Sequence, residues 1–349
     1  MKKSKRLSSF FLAMFSIFFV FTVGNGGAAP IELQMSWTWP TGGYESDKIF
    51  NVWADEIEAA TNQRVKIIRF SGATVAGAAE HYDAVVNRIV DIGQCIPSYL
   101  PGRFPLTMIL ELPGNPFNNG TVASVVEDEL FRKHNPAEWH EVKPMFWFST
   151  GPIHLATKFP VRTLEDIKGK QIRASATSVP ALKALGAMPV VIPISGQGEL
   201  YEALQKGMIT GALIPGDPIR SFRIGEVTKY FTKIPFVLDL RVFLFDMNLK
   251  TWNSLPKDIQ QAFEDVNKRW SEKAGKLYDI NHEEGLRYGV TQNKLEVSTL
   301  SPQEVSRWRK ILDPLPAIYL KDIEAKKLPA EKYYNDMLDL CKKYNEKFK

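Results

Sequence analysis

The sequence predicts an α/β fold of two lobes, and three observations carry that prediction. From residue 31 to residue 247, short apolar strand patterns alternate with helical ones, the order of a mostly parallel sheet covered by helices. At 349 residues the chain is long enough for two domains. No repeat or low-complexity linker divides it, which fits a chain that crosses between lobes more than once. A cleft between such lobes is a natural place for a small ligand.

The N-terminus reads as an export signal. Met1-Lys-Lys-Ser-Lys-Arg6 is basic, residues 10–23 form an almost continuous apolar run, and Gly26-Gly-Ala-Ala29 is a small-residue cleavage zone. Pro30 disfavours a cut directly before it, so the expected signal peptide is 1–28 and the expected location is the periplasm. The apolar run is too short and wrongly flanked for a stable span. The whole chain carries 44 Lys and Arg against 39 Asp and Glu. Lys2, Lys3, Lys5 and Arg6 leave with the signal, so 40 basic residues face 39 acids in the mature chain, a net charge of +1. Nucleic-acid binding thereby loses its compositional support. The two cysteines, Cys95 in a strand pattern and Cys341 in a helical one, read as separate buried thiols, although an oxidising compartment would permit a bond.

Taken in order, residues 31–37 alternate as a strand and Trp39-Pro-Thr-Gly-Gly-Tyr44 turns the chain. Residues 47–61 are helical through Ile49, Trp53, Ile57 and Ala60. A strand at 64–70 ends where Ser71-Gly72 begins a loop; a helix at 76–87 and a buried strand at 89–96 follow. Residues 101–119, rich in Pro, Gly and Asn, read as loop. A helix at 124–134 precedes an aromatic strand at 142–150. Then come a helical turn at 164–168, a strand at 171–174, a helix at 179–185, a strand at 189–192, a helix at 199–207 and a strand at 211–214. Further strands are expected at 235–238 and 242–247. Pro256 opens the longest helical pattern, which runs for about 30 residues or bends once, Gly275 being the first weak point. Ser301-Pro-Gln-Glu304 has the capping-box pattern, and residues 330–348 form a final Lys/Glu-rich helix.

Catalytic motifs are missing. His81, His134, His140, His154 and His282 form no HExxH pair and there is no CxxC, so no metal site is expected. Ile194-Ser-Gly-Gln-Gly198 has its serine before both glycines and is not a nucleophile elbow. It lacks the Lys-Ser/Thr of a phosphate loop and reads as a connector, with a weak anion site before the next helix as the alternative. The expectation is a protein without catalytic residues or cofactor.

One cation stands out. Arg173 ends a short strand inside an α/β unit. Its guanidinium is always charged, and its planar fork of donors matches a carboxylate. By residue type it is a carboxylate anchor, half of a structural salt bridge or a surface arginine. Ligands in open α/β sheets bind beyond the carboxyl ends of strands. Trp39, Tyr44, Tyr99 and Phe148 are therefore candidates for a pocket wall, with ordinary core as the alternative for each. Alternation lets only one of Trp147 and Phe148 face the cleft.

Three segments taken together, Leu164-Glu-Asp-Ile-Lys-Gly-Lys-Gln-Ile-Arg173, Lys183-Ala-Leu-Gly-Ala187 and Glu199-Leu-Tyr-Glu-Ala-Leu-Gln-Lys-Gly207, resemble the substrate-binding proteins of tripartite ATP-independent periplasmic (TRAP) transporters, of the C4-dicarboxylate-receptor type. Thr61-Asn-Gln-Arg-Val65, Val90-Asp-Ile92, Phe104-Pro-Leu106 and Asn248-Leu-Lys-Thr-Trp252 with Leu255-Pro256 fall in the family's order. The resemblance implies a two-lobe, periplasmic binding protein-like fold with a cleft, a hinge and one long helix spanning both lobes. Lobe I is expected at 29–150 and 241–278, lobe II at 151–240 and 279–349. A monomeric receptor is implied, closing over a small organic carboxylate and delivering it to TRAP membrane permease subunits. Arg173 is implied to pair bidentately with the ligand carboxylate, and Gly72, Asp217 and Phe236 join the aromatic candidates as ligand-contacting positions.

The departures from the family pattern bear on the ligand. Where the family often reads Gly-Val-Val-Asp-Gly-x-Glu-Asn-Pro, this chain has Gly207-Met-Ile-Thr-Gly-Ala-Leu-Ile-Pro215, so Ile214 replaces an asparagine that often touches polar ligand groups. Near the place of a second arginine stand Ile153 and His154. Both changes remove polar capacity and favour a monocarboxylate with an apolar or aromatic body, such as an indole- or phenyl-bearing acid. The alternatives are a C4-dicarboxylate or another organic acid and, from a different class, a secreted hydrolase.

Overall fold

A computed structural model describes residues 29–192 and 197–348. The expected signal 1–28 and most of the Ile194–Gly198 connector lie outside the described residues. Strands β1 (Ile31–Ser36), β2 (Val65–Phe70), β3 (Ile92–Cys95) and β4 (Val142–Ser149) come first. Strands β5 (His154–Thr157), β6 (Gln171–Ala174), β7 (Met188–Val191), β8 (Gly211–Ile214) and β9 (Tyr230–Lys233) follow, then β10 (Val242–Asn248) and β11 (Glu296–Thr299). They form two sheets, in the orders β2-β1-β3-β10-β4 and β11-β9-β5-β8-β6-β7. In the first, β1 is parallel to β2 and β3, while β10 is antiparallel to β3 and β4. In the second, β6 is parallel to β7 and β8, and β5 is antiparallel to β8 and β9. The chain leaves the first sheet after β4, returns at β10 and leaves again before β11, so the α/β architecture with interleaved crossings is the one the sequence predicts.

Most expected elements appear within a few residues of their predicted ends. No strand forms at 235–238. Pro235 has no N–H to give, and Val237 instead pairs with a first-sheet loop, receiving from Gly114 N at 2.7 Å and donating to Asn115 O at 3.2 Å. The sequence reading also passes over β5, β9 and β11, each four residues long.

The long helix runs unbroken from Lys257 to Asn293 over 37 residues. Its glycines mark close crossings rather than ends. A Cβ on Gly275 would lie 2.7 Å from Ser124 Oγ on the helix Gly120–His134, which packs on β4. A Cβ on Gly285 would lie 2.2 Å from the carbonyl oxygen of Gly216, beside the helix Asp217–Ser221 that follows β8. Phe263 and Trp270 are buried in the first-sheet aromatic core with Trp53 and Phe146, and Leu286 is buried with Ile214 and Ile219 of the second. One rigid element therefore spans both sheets.

The final helix, Ala330–Lys347, buries Tyr333, Met337, Cys341 and Tyr344 in the cluster that holds Val122, Leu130 and Leu244. Residues 279–349 are expected in lobe II, yet this helix lies on the first sheet's side, because its apolar stripe meets the helix Gly120–His134. Both cysteines are buried free thiols in that cluster.

Candidate functional site

Two crossings lie side by side between the sheets. Thr150 N donates to Arg241 O at 3.0 Å, Arg241 N donates to Thr150 Oγ1 at 3.0 Å, and Ile153 N donates to Asp239 O at 2.9 Å. Beside this ladder opens a cleft of about 760 Å³, counting space open to solvent. Trp39, Ile96, Tyr99 and Phe243 line it from the first sheet's side. Ile153, Arg173, Asp217 and Phe222 line it from the second's, with Arg241 and Tyr278 between them.

Arg173 sits on β6 between β7 and β8, in register with Val190 and Ala212. Its neighbours Ile172 and Ala174 are core residues, so strand alternation sends the guanidinium to the other face. It is 2% exposed. Its Nε donates to Ile192 O at 2.8 Å and its Nη1 to Leu213 O at 2.9 Å. A guanidinium has five N–H donors, and among the described residues no carboxylate pairs with this one. Burial, and then the nearby Arg241, lowers its pKa to about 10, so it stays charged at neutral pH.

Sequence reasoning misses Arg241, a second guanidinium in the same cleft. Its Nη1 donates to Ser98 Oγ at 2.7 Å and Glu111 Oε2 at 2.9 Å, and its Nη2 to Asp239 Oδ2 at 3.3 Å. Both acids are buried. Burial opposes charge on Arg241, but Glu111 and Asp239 outweigh it and raise its pKa. Burial pushes Glu111 up to about 7 against the pull of Arg241. The signal available was a charged pair, Asp239 and Arg241, inside an otherwise apolar run from Ile234 to Phe245.

A second polar group also lines the cleft. Asp217 begins its short helix after Pro215-Gly216, and its Oδ1 accepts from Tyr278 Oη at 3.0 Å. Both side chains are buried. Burial first, and then Glu45, drives the Asp217 carboxyl well above the usual range. Glu45 is buried too and accepts from Asn281 Nδ2 at 2.9 Å.

Of the residues singled out from sequence, Arg173, Trp39, Tyr99 and Asp217 line this cleft. Five do not. Phe148 is fully buried and stacks on Phe243 with ring centroids 4.6 Å apart, so Phe243 presents the ring. Ile214 is fully buried in the core beside Ile219 and Leu286, and Phe236 is buried with Val161 and Trp308. Tyr44 lies toward Glu45, Glu284 and Arg220; burial and then the two acids raise its pKa. Gly72 stands behind the wall, its N–H donating to Trp39 O at 2.8 Å. His154 also turns away, facing His282 across 5.6 Å between ring centroids.

Among the described residues no group of His, Cys, Asp and Glu is placed to hold a metal ion, and no helix is long and apolar enough to cross a membrane. Two sheets joined by interleaved crossings, with an arginine in the cleft between them with which no carboxylate among the described residues pairs, define a solute-binding protein. Residues 35–322 match the family described as bacterial extracellular solute-binding protein, family 7, and the chain belongs to it. This is a family of TRAP solute receptors rather than enzymes. A TRAP periplasmic solute-binding protein from Desulfovibrio salexigens is 29% identical and superposes with a TM-score of 0.84 over 92% of this chain and 98% of that one. One from Rhodoferax ferrireducens, solved with copurified benzoate, is 21% identical with a TM-score of 0.83 over 90% of this chain and 99% of that one. A curated relative from Salmonella typhimurium is 26% identical over 203 residues, 52% of this chain and 58% of its own length. The chain thus spans little more than half of that relative.

Proposed function

We propose that the protein captures a small organic monocarboxylate with an apolar or aromatic body and delivers it to the membrane subunits of a TRAP permease. The two sheets are the cores of the closing lobes, and the Thr150–Ile153 and Asp239–Arg241 ladder is their hinge. The signal 1–28 directs export to the periplasm. The observation that carries the reading is Arg173, a buried guanidinium with donors left over and no carboxylate bonded to it among the described residues, in a cleft walled by Trp39, Tyr99, Phe222 and Phe243. A desolvated bidentate pair orients a carboxylate and favours the closed state. The rings then cover the ligand body. The benzoate in the Rhodoferax protein supports this reading by showing that the fold admits an aryl acid. A dicarboxylate would call on Arg241 for its second charge, and Glu111 and Asp239 already occupy that guanidinium.

A thermal-shift screen of carboxylates on the purified protein tests the proposal. Aryl and indolyl monocarboxylates are expected to raise the melting temperature. Stabilisation by succinate or malate, without any by aryl acids, would defeat it.

A further inference from the structure

We propose that Asp217 makes this receptor selective for acids that carry a neutral hydroxyl at the end remote from their carboxylate. The inference rests on the reading of Arg173 as the carboxylate anchor and narrows the ligand class within it.

The cleft has two polar stations with different surroundings. At one, Arg173 has Arg241, Asp239 and Tyr99 as its charged and titratable neighbours. At the other, Asp217 has Glu45, Tyr278 and Arg220. Both stations line the same cleft, and most of its other lining residues are apolar. A ligand anchored at Arg173 therefore extends across rings and aliphatic side chains toward Asp217.

Asp217 is poorly supplied by the protein. Its Oδ1 accepts from Tyr278 Oη at 3.0 Å, its own backbone N–H is the other protein donor to the carboxyl, and no further side chain bonds to it among the described residues. Arg220 does not neutralise it: its Nη2 donates to Asn281 Oδ1 at 3.2 Å and its Nη1 lies 3.5 Å from Glu284 Oε2. A buried carboxyl without a cation, next to a second buried carboxyl at Glu45, stays protonated. The neutral acid then offers a hydroxyl donor into the cleft while its carbonyl oxygen accepts the hydrogen bond from Tyr278 Oη. A ligand hydroxyl can accept that hydrogen bond. An unsubstituted ring leaves the buried carboxyl unmatched, which costs more than a matched pair gains. A second carboxylate would meet Asp217 and Glu45 with no cation to receive it.

Calorimetric titration with matched pairs tests the inference: benzoate against 3- and 4-hydroxybenzoate, and phenylacetate against its 3- and 4-hydroxy forms. In the wild-type protein at least one ring-hydroxylated acid is expected to bind roughly 10- to 100-fold tighter than its parent. Asp217→Leu should bring that ratio near one, and Asp217→Asn, which keeps size and a donor, should retain most of it. Mandelate, whose hydroxyl sits beside the carboxylate, should gain nothing from Asp217, and Asp217→Leu should bind it at least as tightly as the wild type. If parent and hydroxylated acids bind the wild type alike, or if the ratio survives in Asp217→Leu, the inference is overturned while the Arg173 reading stands. If no aryl acid binds the wild type, the underlying reading falls and takes the inference with it.

Discussion

Arg173 and Arg241 border one cleft, yet only Arg241 has carboxylates against it. Arg241 disfavours the charge on Arg173, so the guanidinium that lacks a carboxylate gains most from an incoming anion. The buried acids around Arg241 keep that residue as structure: it links Ser98 and Glu111 on one side of the cleft to Asp239 on the other.

Arg173→Ala should weaken carboxylate binding by at least about 100-fold, the usual scale for losing a buried charge-assisted pair. Arg173→Lys should recover only part of it, because an ammonium cannot form the planar fork. Titration calorimetry gives the affinities, and circular dichroism should show an unchanged fold. Affinity within threefold of wild type in the alanine variant would contradict the anchor role.

Glu111 should give the protein a pH dependence of defined sign. Its pKa rises from 4.5 to about 7 on folding, so the folded state binds more protons between those values. Its contribution to stability is full below about pH 4.5 and is lost as pH rises through 7. The loss is about 3 kcal/mol at most, from the size of the shift. Urea denaturation of wild type and Glu111→Gln across pH 5 to 8 isolates it: the wild type should lose stability relative to the variant as pH rises. Parallel curves would refute the assignment.

Gly285→Ala should destabilise the protein by about 1–3 kcal/mol, the cost of overpacking a tight contact. The added carbon would meet the Gly216 carbonyl at 2.2 Å, and a backbone oxygen cannot rotate away as a side chain can. The same denaturation assay measures it. An alanine variant as stable as the wild type would mean that the long helix can shift at this crossing.

The sheets, the long helix and the lone arginine were legible because each has a local signature: strand alternation, three-and-four spacing, and a cation at a strand end. The cleft wall was less so. Phe148 and Phe243 pair across β4 and β10, and nothing local to either says which ring is covered. Ile214 and Phe236 point into the core for the same reason: which face is inside depends on helices far along the chain. Arg241 carried a signal, an ion pair buried in an apolar run, but its partner Glu111 lies 130 residues away. Such partners emerge only from tertiary packing.

The final helix sets an order on synthesis. Tyr333, Met337, Cys341 and Tyr344 complete a core whose other members begin with Tyr82. An emerging chain can shape the middle of this protein early, but this cluster stays open on one face until the helix Ala330–Lys347 has been made. Contacts so distant in sequence also slow folding.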